Sequence, residues 1–232
     1  MRPDGGVASD ALGMHFRYVR LQAPAHALDA LSEFYEERLE LAGLHIGETQ
    51  LELVPAEGEP FYHFAFLVPG NRFDAALEWI GQRAGLLPDR ETGEVVFDFQ
   101  SWDGQACYFH DTVGNIVELT AHRGIGRTEA TGTFSGSELL GFSELGLVGD
   151  RAAMAGVLRV VLRMPLWQGT VEEEDRLAFI GEPGRTLILA PTGRGWLPTG
   201  RPAEPHPVEA VLSGPPSREV VLENGLYRIS RA

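Results

Sequence analysis

Hydrophobic and polar positions alternate over short stretches through most of the chain, and one such stretch recurs. Phe16-Arg17-Tyr18-Val19-Arg20-Leu21 is matched without a gap by Phe61-Tyr62-His63-Phe64-Ala65-Phe66, and the same offset places Leu28-Asp29-Ala30 opposite Phe73-Asp74-Ala75. Each copy opens as a strand. The spacing then becomes helical, with Leu28, Leu31, Tyr35 and Leu39 apolar in the first copy and Phe73, Ala76, Leu77, Ile80 and Ala84 in the second. Pro24 and Pro69 mark the strand-to-helix turns, and Gly43 and Gly85 the helix ends. Period-two alternation predicts a strand at 50–54 in the first copy, and strands at 95–99, 106–110 and 116–121 in the second. Asp111-Thr112-Val113-Gly114-Asn115 is the hairpin turn between the last two.

A third copy begins near Phe142, with a helix predicted over 151–164 and strands over 177–181 and 186–190. A fourth begins at Glu204-Pro205, but the stretch 213–218 between its strands leaves no room for a helix, so the last module is truncated. The Gly-, Thr- and Ser-rich stretch before the third copy reads as a linker. The pattern divides the chain into a unit at 14–122, a linker at 123–141 and a second, degenerate half at 142–232. The fold class is α+β, with repeated βαβββ modules.

Composition narrows the chemistry. The formal charge of −14 argues against nucleic acid, which is bound by clustered cations. All the basic residues are Arg, which excludes Schiff-base lysine chemistry and a P-loop. The single Cys107 excludes a disulfide within the chain and any paired-cysteine zinc or redox motif. No apolar run is long enough to span a membrane, and the first residues lack the pattern of a signal peptide. The expectation is a cytoplasmic protein, as a monomer or a homodimer.

Two stretches carry a resemblance. Tyr62-His63-Phe64-Ala65-Phe66, together with the run from Tyr108 through Asp111-Thr112-Val113-Gly114-Asn115 to Glu118-Leu119, resembles the vicinal oxygen chelate superfamily of glyoxalases, bleomycin-resistance proteins and extradiol dioxygenases. The resemblance is good over 14–122, weaker over 142–191 and poor beyond. It implies paired modules curved into half-open barrel sheets with flanking helices. It also implies a divalent ion held from the first and last strands of each module.

Carried over residue by residue, the ligand positions fall on Tyr18, Glu52, His63 and Glu118. Tyr18 stands where His is usual, and a neutral phenol is a poor ligand, so it is assigned to substrate binding. The expected metal ligands are therefore His63, Glu118 and Glu52, with Glu118 and Glu52 also the expected catalytic carboxylates. Mn, Ni, Zn, Mg and Fe all remain open, as does no metal at all. Tyr108, His110 and Trp102 are candidate pocket residues, and Arg17 or Arg20 a candidate holder of a substrate carboxylate. In the second half the matching positions are Glu144, Ile188, Val208 and Arg228, which do not form a ligand set.

Each assignment has a plainer reading. His63 could be a hydrogen-bonded core histidine. Glu52 and Glu118 are ordinary strand residues if their face is solvated; if it is interior, they require a cation, a proton or donors. Two functions follow: a metal-dependent isomerase, lyase or ring-opening enzyme acting on a small-molecule vicinal-oxygen substrate, or a metal-free small-molecule binding protein of the bleomycin-resistance type.

Overall fold

A computed structural model describes residues 13–232; the N-terminal stretch inspected for a signal peptide lies almost wholly outside them. Four modules follow one another. The first comprises β1 (Phe16–Pro24), α1 (Leu28–Glu33), β2 (His45–Ile46) and β3 (Thr49–Ala56). The second comprises β4 (His63–Leu67), α2 (Phe73–Gly81), β5 (Phe97–Phe99), β6 (Gly104–His110) and β7 (Ile116–His122). The third comprises β8 (Gly141–Val148), α3 (Arg151–Val161), β9 (Leu166–Gly169), β10 (Ala178–Glu182) and β11 (Arg185–Ala190). A crossover hairpin, β12 (Gly195–Trp196) and β13 (Arg201–Pro202), leads to the fourth, which has β14 (Val208–Leu212), β15 (Arg218–Leu222) and β16 (Tyr227–Arg231) and no α-helix.

The periodicities have visible causes. In α2, Phe73, Ala76, Trp79 and Ile80 are the buried face. In α3, Asp150 caps the N-terminus by accepting from the Ala153 amide at 3.0 Å, while Met154, Ala155 and Leu158 face the core. The helix after β1 is shorter than its apolar spacing predicts. Beyond Glu33 the chain winds more widely, and the Leu39 amide donates to Phe34 O, five residues back, at 3.0 Å. That wider turn keeps both Tyr35 and Leu39 buried.

The strands form two large sheets. One has the order β15-β16-β14-β1-β3-β2, the other β5-β6-β7-β4-β8-β11-β10-β9. The second module is thus joined to the third, through antiparallel β4 and β8, and the first to the fourth, through antiparallel β1 and β14. This corrects the expectation that the modules within 14–122 curve into one shared sheet. The physical reason is edge pairing. Each module's first strand has one free edge, which must find a partner strand. The repeat shows that four such edges exist, but not which pair.

The faces of the eight-stranded sheet are unlike. On one, Phe64 and Phe66 pack on Phe142, with ring centroids 5.3 and 5.2 Å away, inside the main core. On the other lies a smaller core that includes Tyr108, Ile188 and Trp196, the last brought in by the crossover hairpin. The corresponding face of the six-stranded sheet leaves Tyr18, Arg20 and Glu52 half-exposed. Among the described residues no helix is long and apolar enough to cross a membrane.

Candidate functional site

The Asp111–Asn115 turn sets the second module's register. Asp111 accepts from the Val113 and Asn115 amides at 3.1 and 2.9 Å, and from the Tyr35 hydroxyl at 2.7 Å. Asn115 Oδ1 accepts in turn from the Tyr62 amide at 2.7 Å, next to His63. Gly114 supplies the positive φ, +83°, that the bend needs. The turn therefore fixes the start of β4 against the start of β7, with His63 opposite Ile116 and Ala65 opposite Glu118.

On its other edge Ala65 faces Glu144 of β8. His63, Glu118 and Glu144 thus come from three adjacent strands and share the covered face. They are 5%, 3% and 6% exposed, and each offers one ligand atom within 4.8 Å of the others. Among the described residues this is the one group of three His, Cys, Asp or Glu side chains so placed.

The electrostatics suit a cation. His63 Nδ1 lies 3.0 Å from the Ile116 carbonyl, to which it donates as the N–H tautomer. That leaves Nε2 as a lone pair, 3.7 Å from Glu118 Oε2. Burial pushes the His63 pKa down to about 4, so the ring is neutral at physiological pH, as a ligand must be. Burial also pushes Glu118 well above the ordinary carboxylate value, and the charge of Glu144 adds to this. Glu144 is raised by burial in the same way. Two buried carboxylates this close cannot both ionise without a neutralising charge. The donor set fits a divalent ion on chemical grounds: one imidazole nitrogen and two carboxylates, with a backbone carbonyl fixing the imidazole.

A narrow cavity of about 70 Å³ reaches these residues. Tyr108 lines it from directly across the β6–β7 ladder, opposite Glu118. Ile188 of β11 lines it too, and is the third module's counterpart of Glu118 by strand register. Trp196 covers the site, its ring centroid 4.8 Å from that of His63. The rim is aromatic: Trp102 stacks on Phe99 at 4.9 Å, and Phe179 lies alongside.

The other expected residues lie elsewhere. His110 is exposed at the end of β6, its Nδ1 3.1 Å from the Asn115 carbonyl, and it does not line the cavity. Glu52 does not join His63 and Glu118, because β3 belongs to the other sheet. There it accepts from Tyr18 Oη and, at 2.8 Å, from Arg20 Nε, while Arg20 Nη1 reaches Glu209 at 2.9 Å. The hydrogen bonds from Tyr18 and then Arg20 hold Glu52 below the ordinary carboxylate range.

The two sheets repeat one arrangement. Arg20 is flanked by Glu52 and Glu209, as Ala65 is flanked by Glu118 and Glu144. Tyr18 stands two residues before Arg20, as His63 stands two before Ala65. In the six-stranded sheet a guanidinium therefore lies between the carboxylates; in the other sheet the methyl of Ala65 leaves that place open. Register also moves the fourth module's counterpart of Glu144 to Glu209, one residue from Val208.

Glu144 is the residue whose role sequence reasoning missed. Its alignment with Tyr18 and His63 marked the position, but its supposed partners Val208 and Arg228 were in the wrong sheet. Arg194, from the crossover, also lines the cavity and had no sequence signal. His122 is buried, with Nε2 unpartnered, and burial lowers its pKa to about 4. Cys107 is buried with its thiol pushed up by burial to about 12, an inert group.

No protein-family model matches the chain, and no curated protein matches it. Solved structures do. A variant of glyoxalase I from Zea mays superposes with a TM-score of 0.51 at 10% identity, covering 95% of this chain and 92% of that one. Another structure of glyoxalase I from Zea mays gives 0.50 at 12%, covering 87% and 75%. A protein of Bacillus subtilis subsp. subtilis str. 168, provisionally assigned as a dioxygenase, gives 0.50 at 15%, covering 86% and 70%. At these identities the likeness shows the fold alone, the one these structures share.

Proposed function

For a chain with the vicinal oxygen chelate fold, we propose that His63, Glu118 and Glu144 hold one divalent metal ion and that the protein is a metal-dependent enzyme acting on two neighbouring oxygens of a small molecule. The observation that carries this reading is the buried pair of carboxylates with a neutral imidazole, all within 4.8 Å. A bound ion would act as a Lewis acid on a substrate oxygen, worth several kcal/mol of transition-state stabilisation.

The chain's own residues do the rest. The Ile116 carbonyl orients His63, and Trp196 and Ile188 keep water from the site. The Tyr108 hydroxyl, opposite Glu118 across the β6–β7 ladder, hydrogen-bonds that carboxylate and positions it. Glu118 or Glu144, displaced from the ion, would accept the proton that moves. One nitrogen and two carboxylates differ from the two-His, one-carboxylate set of iron oxygenases. The donor set favours a harder ion such as Mn²⁺ or Mg²⁺ and proton-transfer chemistry, that is, isomerisation or lyase reactions of an α-hydroxycarbonyl.

The tyrosine that pointed to a metal-free binding protein, Tyr18, lies in the other sheet, so it does not count against an ion here. The test is thermal melting with added Mn²⁺. A ligand at 100 times its Kd adds about 2.7 kcal/mol of stability. The expected upward shift is reversed by EDTA and absent in His63→Ala and Glu144→Gln. No shift in the wild type, or an equal shift in the variants, refutes the reading.

A further inference from the structure

We infer that the cavity holds a carboxylate of its substrate, separate from the vicinal oxygens, on the guanidinium of Arg194. The inference rests on the reading of this cavity as the active site. Arg194 lies on the crossover just before β12 and lines the cavity together with His63, Glu118 and Glu144. It is anchored: Nε donates to the Asp175 carbonyl at 3.1 Å and Nη1 to the Gly195 carbonyl at 2.8 Å. Its own backbone pairs with Ala203, whose amide donates to Arg194 O at 2.7 Å. A guanidinium has five N–H donors. Two are used, and three, both of Nη2 among them, are left for a planar two-oxygen acceptor.

Charge supports the same conclusion. Among the described residues no carboxylate forms an ion pair with Arg194 within 4.0 Å, and both of its anchors are neutral carbonyls. Desolvation lowers its pKa, the nearby Arg176 and Arg151 add to this, and the Asp175 charge works against it. Arg194 is thus a fixed cation, half-buried and without a paired anion, that a ligand carboxylate would complement. The chain carries a net charge of −14, so its overall field repels an anionic substrate, and recognition must be local. Of the two arginines first expected in this role, Arg20 is occupied by Glu52 and Glu209 in the other sheet, and Arg17 is exposed on that same strand β1. The rim of Phe99, Trp102 and Phe179 suits a flat apolar body attached to that carboxylate.

The probes are benzoate and its neutral analogue benzamide, titrated calorimetrically into the whole protein with Mn²⁺ and with EDTA. Arg194→Met and Arg194→Lys are compared with the wild type, each checked for an unchanged circular dichroism spectrum. The expected result is benzoate binding at least 10-fold tighter than benzamide. Arg194→Met is expected to lose that preference while leaving benzamide unchanged, and Arg194→Lys to retain part of it. No benzoate binding by the wild type, no preference over benzamide, or a preference that survives in Arg194→Met overturns the inference. Benzoate preference in EDTA with no Mn²⁺ binding keeps the carboxylate subsite and sinks the metal reading. Mn²⁺ binding without benzoate preference does the reverse.

Discussion

At the scale of single residues, the site is a set of groups placed against their own stability. Glu118 and Glu144 have native pKa values above their ordinary 4.5, so the metal-free native state holds protons that the unfolded chain releases. Their contribution to stability is fully present below about pH 4.5 and is lost as pH rises through the native values. His63 works in the opposite sense. Its native value of about 4 lies below the ordinary 6.5, so its contribution is present above 6.5 and lost as pH falls towards 4. Glu118→Gln removes a buried acid without changing its shape. Each pKa unit of displacement relieved is worth about 1.4 kcal/mol, or about 3–6 °C in Tm for a chain of this size. The expected outcome is a metal-free variant that melts higher than the wild type in EDTA at pH 8, with the gain shrinking towards pH 5, and that no longer responds to Mn²⁺. Melting curves across that pH range check it. A variant that melts lower at pH 8 argues that Glu118 is an ordinary packed residue.

At the scale of elements, the crossover between the third and fourth modules decides which sheet has a dry face. Trp196 is 3% exposed and lies over His63, whereas the equivalent face of the other sheet has no such cover and leaves Glu52 in partial contact with water. Truncating a buried Trp to Ala typically costs about 3–5 kcal/mol, so Trp196→Ala is expected to lower Tm by about 6–20 °C. Because the three proposed ligands sit on β4, β7 and β8, the variant is still expected to bind Mn²⁺, checked by a Mn²⁺-dependent rise in its own Tm. Much of this scale was legible in the sequence. The alternation around His63 and Glu118, and the Asp111–Asn115 turn, placed the second module's strands within a residue or two of where they lie. β9 was not legible, because it is short and half-exposed and so leaves little alternation. The contribution of Trp196 was not legible either, since a Pro- and Gly-rich crossover carries no periodic signal of where it folds back.

At the scale of the whole molecule, four modules make two copies of one constellation, and the copies differ at two positions, Tyr18 against His63 and Arg20 against Ala65. The sequence repeat revealed the modules and the equivalence of Tyr18 with His63 and of Glu52 with Glu118. It could not reveal that the first module pairs with the fourth and the second with the third, because strand pairing depends on which free edges meet in space. That hidden pairing is why Glu52 was expected beside His63 and Glu144 was not. The pairing also makes Arg20 an internal cation where the other sheet has Ala65. The wild type is therefore expected to bind one divalent ion per chain. The Tyr18→His/Arg20→Ala double variant, which restores a His–Glu–Glu set on the open sheet, is expected to bind a second, weaker ion. Equilibrium dialysis against Mn²⁺ counts them, and a double variant that still binds one ion contradicts the equivalence.

The most direct test of the central claim is an anomalous difference map from crystals grown with Mn²⁺. The account predicts a single strong peak at about 2.0–2.3 Å from His63 Nε2 and from one oxygen each of Glu118 and Glu144. A map with no peak there, or with its strongest peak between Glu52 and Glu209, would contradict it.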